Sequence, residues 1–553
     1  MESIIINMNL FLLTYLVAAD LFASEINSLS SHENSIISSN LKLDQNIGHS
    51  LNVVEAKAQW LPEVKGWIPY SDTFIESLLN KCKRKDKSET LLNCASLLNT
   101  NLVKDGYITS RVYSIDKDNQ KFIEIIKGKL VEIRISSNDE ILKKYIKNKT
   151  NSLINKVLHI PTLENIINEI NKDNNTSNVS GDLSTLGSDP SKTILNINVE
   201  RLSKRWDNEI SISNQGITGS GELRTNLLIK RNNLVDWNDL LILNNEVTSD
   251  INFNIGNVSS FIIYEKPIYD DVYFTSSFGI SNRKLIEANK PINKIRFRQI
   301  QGLGKITKEM ISKSDFKLNS YMGINLSKSE SFLSEDRIGL IKGGGDNGVL
   351  QTGYIDTGIN IFSKRKRINL QGNLSLLQSI SGLTPYDQRK NLRNDNIPLS
   401  KAKAIITRLD FEKIFNSKIS FNSQFNSQIA LGKLPSDMSF SFGGEDGFSS
   451  LPSSIGSGDS GWFLISSFSR EIANNTKYSL KVSPFFGMGL IHKSSPGEEN
   501  DYVGSGGIKM LLEKENINIE LGLVEKFLTE NNSGSWNNWL LSNGIYTKLV
   551  YKF

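Results

Sequence analysis

The chain is short of nearly everything that catalysis or helical membrane anchoring requires. Its 553 residues include two cysteines, four histidines and twelve prolines. After the first 25 residues no stretch approaches the roughly 20 apolar residues of a membrane-crossing helix, which excludes a helical membrane protein. No G-x-x-x-x-G-K-[ST] occurs, so the chain has no ATP-driven step of its own. His32, His49, His159 and His492 lack metal-ligand spacing. An excess of one charge is missing too. The 64 basic and 59 acidic residues leave a net +5, too even to argue for nucleic acid. Two short motifs tempt and fail. Gly458-Asp459-Ser460-Gly461 spells a serine-protease sequence, but no histidine sits in a matching context, so it reads as a turn. Gly343 to Gly348 matches G-x-G-x-x-G but neither follows a parallel strand nor opens a helix, so it reads as a hairpin loop. No catalytic residue, cofactor or metal is expected.

A chain this long needs several domains. Hydrophobic residues make up 38%, and mean hydropathy is −0.27. Those values leave a transmembrane β-barrel open, because half of each strand is polar and escapes hydropathy scales. The apolar run Ile4 to Ala19 ends in Val17-Ala18-Ala19 and Leu21-Phe22-Ala23. Residues 1–23 therefore read as a secretory signal peptide, although Glu2 replaces the usual basic start; a buried helix is the alternative. In an exported chain the pair Cys82 and Cys94 suggests a disulfide closing the loop Lys83 to Asn93, against two reduced, half-buried thiols.

Residues 24–50, rich in Ser and Asn, read as a linker. Residues 51–136 read as a compact α/β module. A helix starts at Ser71-Asp72-Thr73 and carries Phe74, Ile75, Leu78, Leu79 and Cys82. A second runs through Leu91, Cys94, Ala95, Leu98 and Leu102 to Gly106. Strands are expected at Tyr107 to Ile115, Lys121 to Ile126 and Val131 to Ile135. Residues 137–204 repeat the theme with helical faces Ile141-Leu142-Tyr145-Ile146 and Leu163-Ile166-Ile167-Ile170, and a strand from Thr193 to Val199.

From Trp206 onward helical periodicity vanishes, and short alternating segments are separated by Gly, Asn, Asp and Ser. The last strand alternates Ile545, Thr547, Leu549, Tyr551 and Phe553 against Tyr546, Lys548, Val550 and Lys552, one face apolar and the other mostly polar. Such a strand suits a wall standing in lipid, and a final aromatic is the assembly signal bacterial outer-membrane barrels commonly carry, here Tyr551 and Phe553. About 350 residues at roughly 20 to 25 per strand and loop give on the order of 14 to 17 strands, and such barrels take even numbers. The expected fold is therefore two α/β modules followed by an all-β transmembrane barrel of sixteen antiparallel strands at 205–553.

Small α/β modules ahead of a carboxy-terminal barrel resemble the Omp85 superfamily, and most closely the two-partner secretion transporters of the ShlB/FhaC/HecB type. Gly106-Tyr107-Ile108-Thr109-Ser110-Arg111 resembles the GYxTSR signature of the first POTRA domain, a small periplasmic transport module. Lys127-Gly128-Lys129 stands where the family has an EGxI turn, and Leu163-Glu164 with Ile167 to Asn171 resembles the helix of the second POTRA domain. Asn214 to Gly219 resembles the opening of the barrel, and Tyr264-Glu265-Lys266-Pro267 a strand end. Leu434-Pro435, Phe442-Gly443-Gly444 and Ser457 to Trp462 resemble the flanks of the loop that folds back into the barrel. In the family that loop carries VRG[FY] at its tip. Here the tetrapeptide falls on Phe448-Ser449-Ser450-Leu451, with Ser449 in place of the arginine. The family's partner aspartate is missing as well, because the matching segment reads Phe485-Phe486-Gly487-Met488-Gly489. Losing both members of a buried ion pair is far cheaper than losing one. Asp446 or Asp459, near Gly458 and Gly461, is then expected to anchor the loop.

The resemblance implies POTRA modules at 51–136 and 137–204, and a plug helix within 24–50. It implies a location in the bacterial outer membrane with the modules in the periplasm. Its expected partners are a secreted haemolysin- or adhesin-like exoprotein, outer-membrane lipid and the barrel assembly machinery, with no nucleic acid. The alternatives are a barrel-assembly factor, a passive porin and a barrel enzyme acting through Ser460.

Overall fold

The computed structural model describes residues 60–117, 120–171, 179–187, 189–201, 204–269, 271–288, 292–313, 315–443, 448–453, 456–492, 500–528 and 536–553. The expected signal peptide and the linker with its plug helix lie outside the described residues.

The first unit contains β1 (Glu63–Gly66), α1 (Asp72–Lys81), α2 (Lys87–Lys104), β2 (Arg111–Lys117) and β3 (Gln120–Ile126). Both helices start on polar caps. The Ser71 hydroxyl accepts from Phe74 N–H, and one Asp86 oxygen accepts from Ser88 and Glu89 N–H at 2.8 and 3.0 Å. Cys82 and Cys94 are joined in a disulfide that ties the end of α1 to α2. Around it Leu79, Leu91, Leu98 and Ile123 are buried. The sheet order is β1-β3-β2, with β1 parallel and β2 antiparallel to β3.

Two sequence expectations are corrected in this region. Tyr107 to Ser110 forms a turn, and the strand starts only at Arg111. Gly106 at φ +88° ends α2 in a left-handed cap. Tyr107 N–H then bonds back to Leu102 O at 2.8 Å, and Ser110 N–H to Tyr107 O at 3.1 Å, which leaves no extended backbone there. The second correction concerns β4 (Lys129–Ser136), expected as the last strand of the first module. It pairs parallel with β6 (Asp189–Asn198), which pairs antiparallel with β5 (Ser180–Leu186), in a separate sheet of order β4-β6-β5. Leu130 decides the matter, because it is buried in the second core beside Leu142, Ile146, Leu163, Leu195 and Ile197. That core is covered by α3 (Glu140–Thr150) and α4 (Ile160–Asn171).

The barrel follows. Its strands are β7 (Trp206–Ser213), β8 (Leu223–Asn232), β9 (Leu240–Ser249), β10 (Ile255–Tyr269), β11 (Val272–Lys284), β12 (Ile295–Ser312), β13 (Phe316–Leu333), the two-residue β14 (Asp336–Arg337), β15 (Val349–Arg365), β16 (Ile368–Ser379), β17 (Lys403–Asn416) and β18 (Ile419–Ala430). The short β19 (Phe440–Phe442) and β20 (Gly456–Gly458) pair only with each other inside a loop. Then come β21 (Ser460–Asn474), β22 (Ser479–His492), β23 (Asp501–Lys514), β24 (Ile517–Leu528) and β25 (Ile545–Lys552). Setting β14 aside, sixteen antiparallel strands close on themselves, with β25 paired to β7. Turns of a few residues lie at the end facing the modules, and the longer loops at the other. One of these longer loops carries α5 (Tyr386–Asn394).

Alternation sorts the wall. Phe278, Ile306, Met322, Ile324, Leu326, Leu374 and Leu549 are exposed on the outer face. Tyr321, Asp356, Asn360 and Asn373 bond to one another on the inner face at 2.8–3.2 Å. An apolar exterior around a polar interior is the arrangement lipid demands of a closed barrel.

Candidate functional site

Three places hold the residues that the sequence singled out. The first is the joint between the two modules. Gly106 O accepts from Ile160 N–H at 3.0 Å, and a Cβ on Gly106 would meet Pro161 at 2.6 Å. The Tyr107 ring lies 4.8 Å from His159 and 5.1 Å from Trp67. Thr109 and Ser110 are buried. Ser110 Oγ accepts from Gly128 N–H at 3.1 Å, and a Cβ on Gly128 would fall 2.2 Å from Thr109 Oγ1. Arg111 turns back to Ile108 O and Ser110 O at 2.9 and 3.0 Å. Thus Gly106, Tyr107, Thr109 and Ser110 clasp the start of α4 and the turn before β4, Arg111 braces their own turn, and β2 beyond them forms a sheet edge.

The second place is the seat of the second module on the barrel. Trp237, in the turn between β8 and β9, is buried in that module's own core and stacks on Tyr145 at 5.6 Å. Arg201 lies over the same indole at 5.1 Å. Asp139 caps α3 through Ile141 and Leu142 N–H and also pairs with Arg201 and with Arg205. Burial alone would raise the Asp139 carboxyl. The Leu142 N–H and the two guanidiniums outweigh it and hold the group below the usual carboxylate range. Asp236 bridges Lys144 of α3 and Lys266 of β10 at 3.1 and 2.7 Å. Asp239 shapes the turn by accepting from Val235 and Asp236 N–H and from Tyr264 OH.

The third place is the lumen with its inward-folded loop. At the end with short turns, Lys317, Lys364, Asp410, Glu412, Asn422 and Gln424 line a cavity of about 720 Å³. At the other end the loop after β18 packs on the inner wall. Phe448 and Leu451 are fully buried with Phe440, Phe463, Ile491, Val503, Trp536 and Trp539. Gln215 Nε2 donates to Phe448 O and Leu451 O at 3.1 and 3.3 Å. Ser450 Oγ donates to Ser505 Oγ at 2.6 Å, and Arg224 to Ser453 Oγ at 3.1 Å. Gly443 and Ser449 are buried. Gly458 and Gly461 sit so close to Ile491 and Phe440 that a Cβ would lie 2.5 and 2.3 Å away.

Among the described residues the loop tip is held by contacts other than a carboxylate. Asp446, with Gly444, lies outside the described residues. Asp459 contributes its backbone carbonyl, which accepts from Gln428 Nε2 at 3.0 Å. The contact at the tip is apolar: a Cβ on Gly487 would stand 3.1 Å from the Phe448 ring. The aromatic ring therefore packs on the glycine that stands where the resemblance places a carboxylate. Replacing a buried ion pair by packed apolar atoms of similar volume is often neutral or stabilising.

Sequence reasoning missed Trp237, Trp536 and Trp539, and gave Gln215, inside the motif Asn214 to Gly219, no role of its own. Tryptophans in segments rich in Asn, Gly and Ser were the available signal, because a large apolar ring in a loop needs somewhere to be buried. Asn214 spans the seam, donating to Ile545 O at 2.7 Å and accepting from Thr547 N–H at 2.9 Å. Ser460 and His492 face each other across β21 and β22. Ser460 Oγ, however, accepts from Ala430 N–H, and His492 Nδ1 meets Asn500 Oδ1. Among the described residues no group of His, Cys, Asp and Glu could hold a metal ion.

A closed sixteen-stranded barrel, preceded by two small mixed sheets and holding a loop against its inner wall, defines an outer-membrane transporter of the Omp85 superfamily. The chain belongs to the haemolysin secretion/activation protein ShlB/FhaC/HecB family, whose model matches residues 191–509, more than half of its length. That family consists of outer-membrane transporters, not enzymes, and its amino-terminal region is periplasmic. Among solved structures the chain is similar to CdiB from Escherichia coli, with a TM-score of 0.57, 14% identity, and 91% of this chain and 93% of that one covered. It is similar to CdiB from Acinetobacter baumannii at 0.55, with 16% identity and 96% and 98% coverage. BamA from Haemophilus ducreyi lacking POTRA domains 1–3 gives 0.54, 11% identity and 89% and 99% coverage. No curated protein matches the chain.

Proposed function

We propose that this transporter captures one unfolded exoprotein in the periplasm and passes it through its barrel to the cell surface without ATP. The observation that carries this reading is the continuity of the path. An edge strand, β2, stands on a module clasped to the next, and that next module is seated by Trp237 at the barrel end with the 720 Å³ cavity. An unpaired edge binds an extended client through its backbone, with little demand on sequence. Folding of the client outside removes the species able to slide back, which draws transport forward. In this reading 51–204 comprises the two POTRA modules, Tyr551 and Phe553 form the signal read by the barrel assembly machinery, and residues 24–50 supply a resting plug. The experiment is deletion of the gene followed by inspection of the periplasm for a single stranded exoprotein. Unchanged export in the deletion strain overturns the proposal. The likeness to BamA supports a second reading, assembly of other barrels, and general porin depletion in the same strain would select it.

A further inference from the structure

Strand register gathers cations on the lipid side of the wall, at its outer edge. On β13, Met322, Ile324 and Leu326 are exposed in the apolar band. Lys328 follows on the same face two residues on, about 7 Å along the strand. Its cross-strand neighbour is Ile300, and the next pairs outward are Arg298 with Glu330 and Arg296 with Phe332. On β11, Lys284 stands opposite Arg296. Arg337 of β14 pairs with Phe332 and shares its face. Lys284, Arg296, Arg298, Lys328 and Arg337 thus form one outward patch.

Among the described residues two carboxylates answer these five groups. Glu330 is 4% exposed and is shared by Lys328 at 3.1 Å and Arg337 at 2.9 Å. Glu335, at the loop tip, meets Arg296 at 3.7 Å. Asp336 pairs with Leu333 and so points to the opposite face. Lys284 and Arg298 make no salt bridge among the described residues. Arg296 and Arg337 both lie against the Phe332 ring, at 4.7 and 6.0 Å, which stiffens them as a flat platform. A surplus of positive charge held just beyond an apolar band, facing lipid rather than loops, calls for an anion fixed at headgroup height.

We infer that this patch binds the phosphates of an anionic glycolipid in the outer leaflet, with the acyl chains lying on Ile306, Met322, Ile324 and Leu326. Guanidinium and ammonium groups meet phosphate oxygens by charge-assisted hydrogen bonds, and the adjoining apolar wall holds the lipid while its head is bound.

The test uses the full chain purified in detergent, with lipid adducts read by native mass spectrometry. Bisphosphorylated lipid A is expected to bind at one site per chain, and dephosphorylated lipid A about tenfold more weakly or not at all. Lys284→Gln with Arg298→Gln is expected to weaken the bisphosphorylated lipid by about tenfold. Lys390→Gln with Arg393→Gln, which removes equal charge from exposed positions on α5, is expected to leave it unchanged. Millimolar inorganic phosphate is expected not to displace the lipid. Equal binding of both lipids, equal loss in both double variants, or displacement by free phosphate overturns the inference. The comparison of the two lipids on the unaltered chain decides the matter even if a variant fails to form a heat-stable barrel.

Discussion

Phe448 and Gly487 show how much can turn on one buried pair of residues. A ring that fills the space above a glycine makes the loop depend on shape where a charge pair would depend on geometry and desolvation. Phe448→Ala should destabilise the barrel by about 3–5 kcal/mol, the range for deleting a buried aromatic ring, and should be read as a lower temperature for loss of heat-modifiable mobility in gels. Gly487→Asp should be worse than a simple clash, because its carboxylate would enter an apolar site unpaired. Adding Ser449→Arg to that variant should restore part of the loss. A double variant no more stable than Gly487→Asp alone would show that position 449 does not face position 487. The missing arginine and aspartate were readable from the motif alone. What replaced them was not, since Phe448 and Gly487 lie 39 positions apart in sequence and meet only once β22 stands in the wall.

At the scale of elements, period-two alternation announced the last barrel strand and the all-β texture after Trp206, because lipid and water on opposite faces impose it residue by residue. The modules were harder to read. Sequence places β4 in the wrong sheet because its partner β6 lies some sixty residues later and sequence carries no mark of pairing. The stretch at Tyr107 reads as a strand because aromatic and β-branched residues favour strands, whereas Gly106 and the return bond from Tyr107 to Leu102 O override that preference. Two predictions belong here. Reducing the Cys82–Cys94 bond should remove about 3 kcal/mol from the first module, the value for a loop of that size, and urea unfolding with and without reductant measures it. The seat of the second module should weaken in acid. Asp139 titrates below its unfolded value, so its contribution is complete above the ordinary carboxylate range and is lost as pH falls through the folded value. Protease sensitivity of the 199–206 connection should rise on acidification in the unaltered chain. In Asp139→Asn it should be raised already at neutral pH and vary little with pH.

The whole molecule joins a soluble half to a membrane half through few contacts, and these must keep the modules aimed at the lumen. Trp237→Ala should uncouple them, with a loss of about 3–5 kcal/mol in the second module and little change in the barrel's own melting. Two separate transitions in differential scanning calorimetry, where the unaltered chain gives closer ones, would report it. Barrel melting that falls in step with the module would argue that the halves form a single cooperative unit. The general plan of this molecule, two modules and a sixteen-stranded wall, could be anticipated from texture and motif. The seating of one half on the other could not, because it depends on a tryptophan whose burial is supplied by a different domain.

The same indole sets an order of events in biogenesis. A polypeptide truncated at residue 204 would carry a vacancy in its second module, since the side chain that completes that interior comes from position 237. Until the β8–β9 hairpin is delivered, the module remains an unfinished, adhesive surface. The second module is thereby completed only after the wall segment that carries Trp237 has been made.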